Sequence, residues 1–332
     1  MNAPHISIDV SAAGVSVRQQ RPNVAPLLKG LPVDEALLQI PILLPICGQA
    51  QAIAARRALC AAQQKQDAHI EAHALALCRE QALAAAWRLA IDWPALIEHE
   101  RRLDLLKQVQ DTDEPKALAQ HLLAFVPGLQ AVDSQDALRD WIASADCTAA
   151  EVIRHAQRCE RGMHTPERRC IKDEALVDLA RRCLMHRAFD PLTVEHDGVD
   201  VGPLALQRNA LLKALEAAPL SQRLLAQLLD TLSIATQLLE TPTPAPSSWA
   251  LPENMGIGQA MTARGPVFHR IALQDGDTVQ DWRVVAPTDW HFSPSGPFLR
   301  EAQACTNREQ LSLLAAGFDP CAPWTVEARR RA

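Results

Sequence analysis

Gly317-Phe318-Asp319-Pro320-Cys321-Ala322-Pro323-Trp324, close to the C-terminus, and Leu44-Pro45-Ile46-Cys47-Gly48-Gln49-Ala50, close to the N-terminus, are the stretches on which the fold turns. A single cysteine after Asp-Pro says little. A second one inside Ile-Cys-Gly predicts a site closed by joining the two ends of the chain. Gln49 to Gln64 is rich in alanine and free of Gly and Pro, the composition of a strong helix. Cys47 and Gly48 therefore fall at or just before a helix N-terminus. Unpaired N–H groups and the positive end of the helix dipole there favour a thiolate, the form that binds a metal. The plainer reading is a small buried cysteine at a helix start. Pro32, Pro41 and Pro45 each remove a backbone donor, so the chain is expected to reach Cys47 extended.

Outward from Cys47, helical periodicity runs from Ala68 to Arg102 through Leu75, Leu77, Leu83, Trp87 and Leu89, with a new helix starting at Asp92-Trp93-Pro94. Further helices are predicted over Lys116 to Phe125, Ser134 to Arg158, Glu167 to Arg187 and Leu204 to Leu239. His69 and His73, four apart, have a spacing that can bind zinc, but the flanking Asp67 and Glu71 suit a solvated face, and neither histidine is taken as a site residue. Cys147, Cys159, Cys170 and Cys183 form no Cys-x-x-Cys pair, and His155 and Cys159 share a helix face. Residues 1 to 28 show no sustained period and predict a strand or irregular chain.

Thr241-Pro242-Thr243-Pro244-Ala245-Pro246-Ser247-Ser248 cannot form helix and marks a change of character. Beyond it, Val267 to Leu273 and Thr278 to Ala286 read as strands joined across Asp275-Gly276, a hairpin signal because a type I′ turn needs positive φ. A last helix over about Ser312 to Ala316 delivers the chain to Asp319-Pro320-Cys321. The fold class is α+β, mainly α. We expect one domain over residues 1–332: a helical body to about 240, a Pro-rich connector over 241–248, and a section over 249–332 carrying the hairpin and the second cysteine.

Composition narrows the function. With 332 residues, 48% hydrophobic and 22% charged, the chain is ordinary globular material, and a formal charge of −6 leaves no footprint for nucleic acid. Arg329-Arg330-Arg331 reads as a solvated tail. No long apolar run or basic leader is present, so no membrane association and a cytoplasmic location are expected. Nine cysteines at wide spacing look reduced and mostly buried.

Four short motifs occur in order: Ile46-Cys47-Gly48, Ala263-Arg264-Gly265, Val285-Ala286-Pro287-Thr288-Asp289-Trp290 and Phe318-Asp319-Pro320-Cys321. Together they resemble the large subunit of [NiFe] hydrogenase across almost the whole chain. In that family each terminal motif is Cys-x-x-Cys, and four thiolates hold nickel and an iron carrying cyanide and carbon monoxide. Here Ala50 and Trp324 stand at the second cysteine of each pair, Pro45 replaces an arginine, Ala54 a histidine, and Glu327 the histidine at which the family's precursor is cut. The resemblance therefore implies no hydrogen activation, no nickel, no proteolytic maturation and no enzyme.

What it retains are the metal ligands Cys47 and Cys321 and the groups that would cradle diatomic ligands. Arg264 would donate to a cyanide nitrogen, and Pro287-Thr288 would present a backbone amide and a hydroxyl to the other. In length, in Cys47-Gly48-Gln49-Ala50-Gln51, and in Arg88-Leu89 before Asp92-Trp93-Pro94, the chain is similar to the shortened, large-subunit-like hydrogenase accessory proteins of the HupK/HoxV type. That resemblance implies a hydrogenase-large-subunit-like helical core and a maturation scaffold or chaperone. Its cargo would be an Fe(CN)2(CO) unit, and its partners hydrogenase maturation factors and the hydrogenase large-subunit precursor. The alternative is a metal-free interaction protein that docks or protects hydrogenase, with Trp324 filling the vacated cavity.

Overall fold

Both ends of the chain lie in one small sheet. In the computed structural model, which describes residues 4–11, 14–21, 23–164, 168, 171, 173–186, 189–190, 198–206, 209–240 and 247–328, strands β1 (His5–Ser11) and β2 (Gly14–Gln20) form an antiparallel hairpin. The last strand, β7 (Trp324–Ala328), pairs parallel to β1 with Ile6 opposite Trp324, giving the order β2-β1-β7. This pairing places the segment after Cys321 beside the N-terminal strand. The expected return of the tail is thus a parallel strand, and Ile6 and Ile8 anchor it in the core.

Four helices lead to and beyond the first cysteine: α1 (Ala25–Leu28), α2 (Val33–Leu43), α3 (Gly48–Ala62) and α4 (Ile70–Trp87). The extended approach to Cys47 is corrected, because α2 is helical with Pro41 inside it. Pro41 lies in the last turn, so only one helical donor is lost there. Burial of Val33, Ala36 and Ile40 against α3 and the second sheet carries the rest of α2.

After a π-helical turn at Arg88–Asp92 come α5 (Trp93–Leu96), α6 (Leu103–Gln110), α7 (Pro115–Leu123), α8 (Gln135–Ser144), α9 (Thr148–Cys159), α10 (Asp173–Met185) and α11 (Pro203–Leu206). The predicted helix over 134–158 is two, with Ser134 capping α8 through Ala137 N at 3.2 Å and a break before Thr148. The long leucine-rich helix is likewise divided. A 3-10 segment at Ala210–Leu215 precedes α12 (Pro219–Leu239), which Pro219 starts at its first position. Helix α12 is buried along most of its length and packs against α4, α7, α9 and α15 (Arg308–Phe318), forming the centre of the helical core.

The predicted hairpin is present as β5 (Gly265–Gln274) and β6 (Thr278–Val285), with Asp275 and Gly276 both at positive φ. Two strands went unpredicted, β3 (Ser248–Leu251) and β4 (Met255–Thr262), which complete an antiparallel sheet in the order β3-β4-β5-β6. Gly256 and Gly258 sit within β4 where it crosses α3. A Cβ on Gly258 would lie 2.1 Å from the Ala54 carbonyl oxygen and 2.3 Å from the Ala58 nitrogen. Rigid helix backbone cannot yield to that contact, so Gly258→Ala is expected to lower stability by about 1–3 kcal/mol. Urea denaturation measures it, and an unchanged midpoint would mean that β4 stands further from α3.

Two short helices, α13 (Pro287–His291) and α14 (Pro297–Ala302), precede α15, which is longer than predicted and is capped by Asn307 through Gln310 N at 2.9 Å. Residues 241–246 of the Pro-rich connector, Cys170, and Arg329-Arg330-Arg331 lie outside the described residues.

Candidate metal centre between the two ends of the chain

Two motif residues are held in the left-handed region, Cys47 with φ 58° and Asp319 with φ 48°. A non-glycine residue there costs about 1–2 kcal/mol and persists only where surrounding contacts fix it. Those contacts converge on Arg264, which follows β4. Its Nη1 donates to Cys47 Sγ at 3.3 Å, its Nε to the Asp319 carbonyl at 2.7 Å, and its Nη2 to Asp319 Oδ1 at 3.3 Å. Arg264 therefore ties the N-terminal motif to the C-terminal one. Asp319 Oδ2 also accepts from Arg88 Nη1 at 3.0 Å, and Arg88 is buried in the π-helical turn after α4.

The second cysteine is held by Thr288 at the start of α13. Thr288 Oγ1 donates to Cys321 Sγ at 3.0 Å and accepts from Cys321 N at 3.0 Å. Asp289 accepts from Ala286 N at 2.8 Å and pairs with Arg21, which follows β2. Burial works against the Arg21 charge, but Asp289 and the sulfurs of Cys321 and Cys47 more than offset it and raise its pKa.

Cys47, Cys321 and Arg264 line a cleft of about 1440 Å³, walled also by Glu80, Asp92, Asp319 and Trp324. Thr288 and Pro287 are buried behind Cys321 and do not line it. Trp324, held in β7 opposite Ile6, is half-buried on the cleft wall. Ala50, at the other vacated cysteine position, is fully buried beside Ile53, Ala54 and Val267.

The expected thiolate at Cys47 is corrected. Glu80 of α4 accepts from Gln49 N at 2.7 Å and Ala50 N at 2.9 Å, so a carboxylate already occupies the helix end that would favour a thiolate. Burial pushes the Cys47 thiol up to about 12, with Arg264 pulling down and Glu80, Cys321 and Asp319 pushing up. Loading this site with a thiophilic metal therefore displaces a proton.

The sequence does not single out Arg21 or Glu80, and it marks Arg88 only as part of Arg88-Leu89 before Asp92-Trp93-Pro94, with no role attached. A charged residue amid Ala84-Ala85-Ala86-Trp87 and Leu89-Ala90 is a visible sign of a buried ion pair. His69 and His73 lie apart from the cleft, with His73 Nδ1 3.0 Å from Asp67 Oδ2 and its pKa lowered by burial.

A mainly helical body, a four-stranded sheet and two cysteine motifs joined by an arginine define a hydrogenase-large-subunit-like protein. Solved structures bear this out for the fold. The large-subunit-like match to an NAD+-reducing [NiFe]-hydrogenase in the H2-reduced state has a TM-score of 0.55 at 14% identity, over 93% of this chain and 92% of that one. The Ni-Fe-Se hydrogenase of D. vulgaris Hildenborough matches with a TM-score of 0.52 at 13% identity, over 94% of each chain.

Among relatives by sequence, the hydrogenase expression/formation protein HupV of Azotobacter chroococcum mcd 1 is 30% identical over 338 residues, 94% of each chain. HupK of Azotobacter vinelandii is 28% identical over 94% of each chain. HoxV of Cupriavidus necator is 24% identical over 93% of this chain and 91% of that one. No protein-family model matches. The chain belongs to the hydrogenase expression/formation proteins of the HupV/HupK/HoxV kind.

Proposed function

We propose that this protein is a non-catalytic scaffold of [NiFe]-hydrogenase maturation that holds an Fe(CN)2(CO) unit as cargo between Cys47 and Cys321 and passes it to the immature large subunit. Its family supports a role in hydrogenase maturation. The observation that carries the cargo reading is the pairing of two thiols from opposite ends of the chain on one open cleft, with Arg264 hydrogen-bonded to Cys47 and Thr288 to Cys321.

Soft thiolates suit low-spin iron, and a site meant to release its cargo gains from having two of them rather than four. The contacts above use three of the five N–H donors of Arg264, which leaves two for a cyanide nitrogen. Thr288 acts one layer back, orienting the Cys321 sulfur. Nickel has no place in this scheme, because the second cysteine of each pair is Ala50 or Trp324. The partners are the factor that delivers the unit and the large-subunit precursor that receives it, both met in the cytoplasm. Among the described residues no helix is long and apolar enough to cross a membrane.

Infrared spectroscopy tests this on protein isolated from a host expressing the complete hydrogenase assembly genes. Bands of metal-bound cyanide and carbon monoxide are expected in the native protein and are expected to vanish in Cys47→Ala and in Cys321→Ala. If the native protein lacks the bands and both variants still support hydrogenase maturation, the iron mechanism is wrong and a metal-free docking role replaces it.

A further inference from the structure

A second cluster of metal-ligating side chains lies outside the cysteine cleft. His155 and Cys159 project from one face of α9, four residues apart, and Glu309 comes from the first turn of α15. His155 Nε2 is 3.6 Å from Cys159 Sγ and 3.0 Å from Glu309 Oε1, and one ligand atom from each of the three residues lies within 4.8 Å of the others. We propose that His155, Cys159 and Glu309 form a second metal site, for a divalent ion of the zinc class, independent of whatever the cysteine cleft holds.

The spacing is that of a coordination shell. Zinc bonds of about 2.3 Å to sulfur and about 2.0 to 2.1 Å to nitrogen, at a tetrahedral angle, put the two donors about 3.6 Å apart. The nitrogen–oxygen edge of the same shell is about 3.4 Å, a few tenths of an ångström beyond the 3.0 Å between His155 and Glu309. One nitrogen, one sulfur and one oxygen match a borderline ion better than calcium or magnesium, which take oxygen alone.

The frame is held from outside the cluster. Gln310 Nε2 donates to the Cys159 carbonyl at 2.7 Å, fixing the end of α9 against the start of α15. His155 and Glu309 border a smaller cleft of about 630 Å³ that also includes His99, Glu151, Arg154 and Arg158. This leaves a fourth position open for water or exchange. Arg154 is committed elsewhere, donating to the carbonyls of Ile142 at 2.7 Å and Ala145 at 3.1 Å, and His99 pairs with Glu151 at 3.1 Å. Arg154 and Arg158 are cations on this cleft that oppose an ion, while Glu98 and Glu151 on the same cleft favour one. Burial, with Glu309 next to it, pushes the Cys159 thiol up to about 11, and a bound dication would reverse that preference.

Glu309 also borders the larger cleft, so the two sites share a wall. An ion here would cross-link α9 to the helix that leads directly into Asp319-Pro320-Cys321. It would thus stiffen the platform of the second cysteine.

Cobalt(II) titration of the full chain, followed in the near ultraviolet and reversed with zinc, tests the site. In the Cys47→Ala, Cys321→Ala double variant, about one equivalent should give a thiolate-to-cobalt absorption that is lost when Cys159→Ser, His155→Gln or Glu309→Gln is added. Zinc should also shield Cys159 from alkylation in the native chain, read peptide by peptide, which needs no variant to fold. Absence of the band in the double variant of the cysteine cleft, its survival there once Cys159→Ser is added, or equal alkylation of Cys159 with and without zinc would each overturn the proposal.

Discussion

Arg223→Met is expected to lower the unfolding free energy by about 3–5 kcal/mol, because it strands two buried carboxylates. Arg223 on α12 is 2% exposed. It donates through Nε to Glu301 Oε2 at 2.8 Å, pairs through Nη2 with Glu301 Oε1, and reaches Asp200 Oδ2 at 2.7 Å. Burial opposes the Asp200 charge, yet the Arg223 guanidinium, helped by His291, holds that carboxyl well below the usual carboxylate range. Arg168 Nε, 3.5 Å from Glu301, offsets part of the loss, which points to the lower end of the range.

The pH dependence distinguishes a lost ion pair from a lost contact. In the native chain Asp200 has a depressed folded pKa, so its stabilisation is complete above the ordinary carboxylate range and fades as pH falls towards the folded value. In the variant the uncompensated carboxylates have raised folded pKa values, so its deficit should shrink as pH falls from 7 to 5. Urea denaturation of both chains at pH 7 and pH 5 measures the change in the deficit. A deficit below about 1 kcal/mol at pH 7 would show the cluster to be solvated rather than buried. The damage should extend to the cysteine cleft. The Arg223 guanidinium lies 3.5 Å from the centre of the Phe318 ring, and Gly317 packs on its side chain, so Arg223 supports the turn that carries Asp319 and Cys321.

The sequence made the meeting of the chain ends legible through two short motifs, because a cysteine beside Gly at a helix start and one after Asp-Pro keep their local chemistry wherever the chain goes. Arg264 was legible through Ala263-Arg264-Gly265, and the hairpin through Asp275-Gly276, whose positive φ values are a backbone requirement rather than a packing one. Strand β4 was not, because its glycines serve a contact with α3 that lies some 200 residues away in sequence and leaves no local period. Pro41 looked like a helix breaker because the rule weighs a lost donor, whereas Val33, Ala36 and Ile40 bury enough surface to hold the helix. The roles of Arg21, Glu80 and Arg88 were silent for a related reason. A charged residue declares its role only when its tertiary partner is known, and theirs are Asp289, the α3 amides and Asp319. The same blindness explains the thiolate expected at Cys47. A helix N-terminus favours one in isolation, and Glu80 removes that advantage from another helix.

That reversal gives Cys47 a chemical signature. At pH 8 a rise in thiol pKa from 9.0 to about 12 cuts the thiolate population about 10³-fold. The more basic sulfur is intrinsically more nucleophilic, with a Brønsted slope of about 0.4–0.5, which recovers about 16- to 32-fold. Exchange of Cys47 with a small aromatic disulfide should therefore be about 30- to 60-fold slower than that of the same residue in the unfolded chain, followed by mass spectrometry of its peptide. Glu80→Gln removes a like charge and should speed the reaction, whereas Arg264→Met removes the main group that favours the thiolate and should slow it further. Cargo binding should show the same proton. Because Cys47 stays protonated throughout the neutral range, affinity for a thiophilic ion should rise about tenfold per pH unit for this ligand, with no plateau between pH 6 and 9. Exchange at the unfolded rate, together with affinity that levels off near pH 8, would mean that Cys47 is already a thiolate. The Arg264 charge would then outweigh burial, and Glu80 would not govern the helix end at which the cysteine sits.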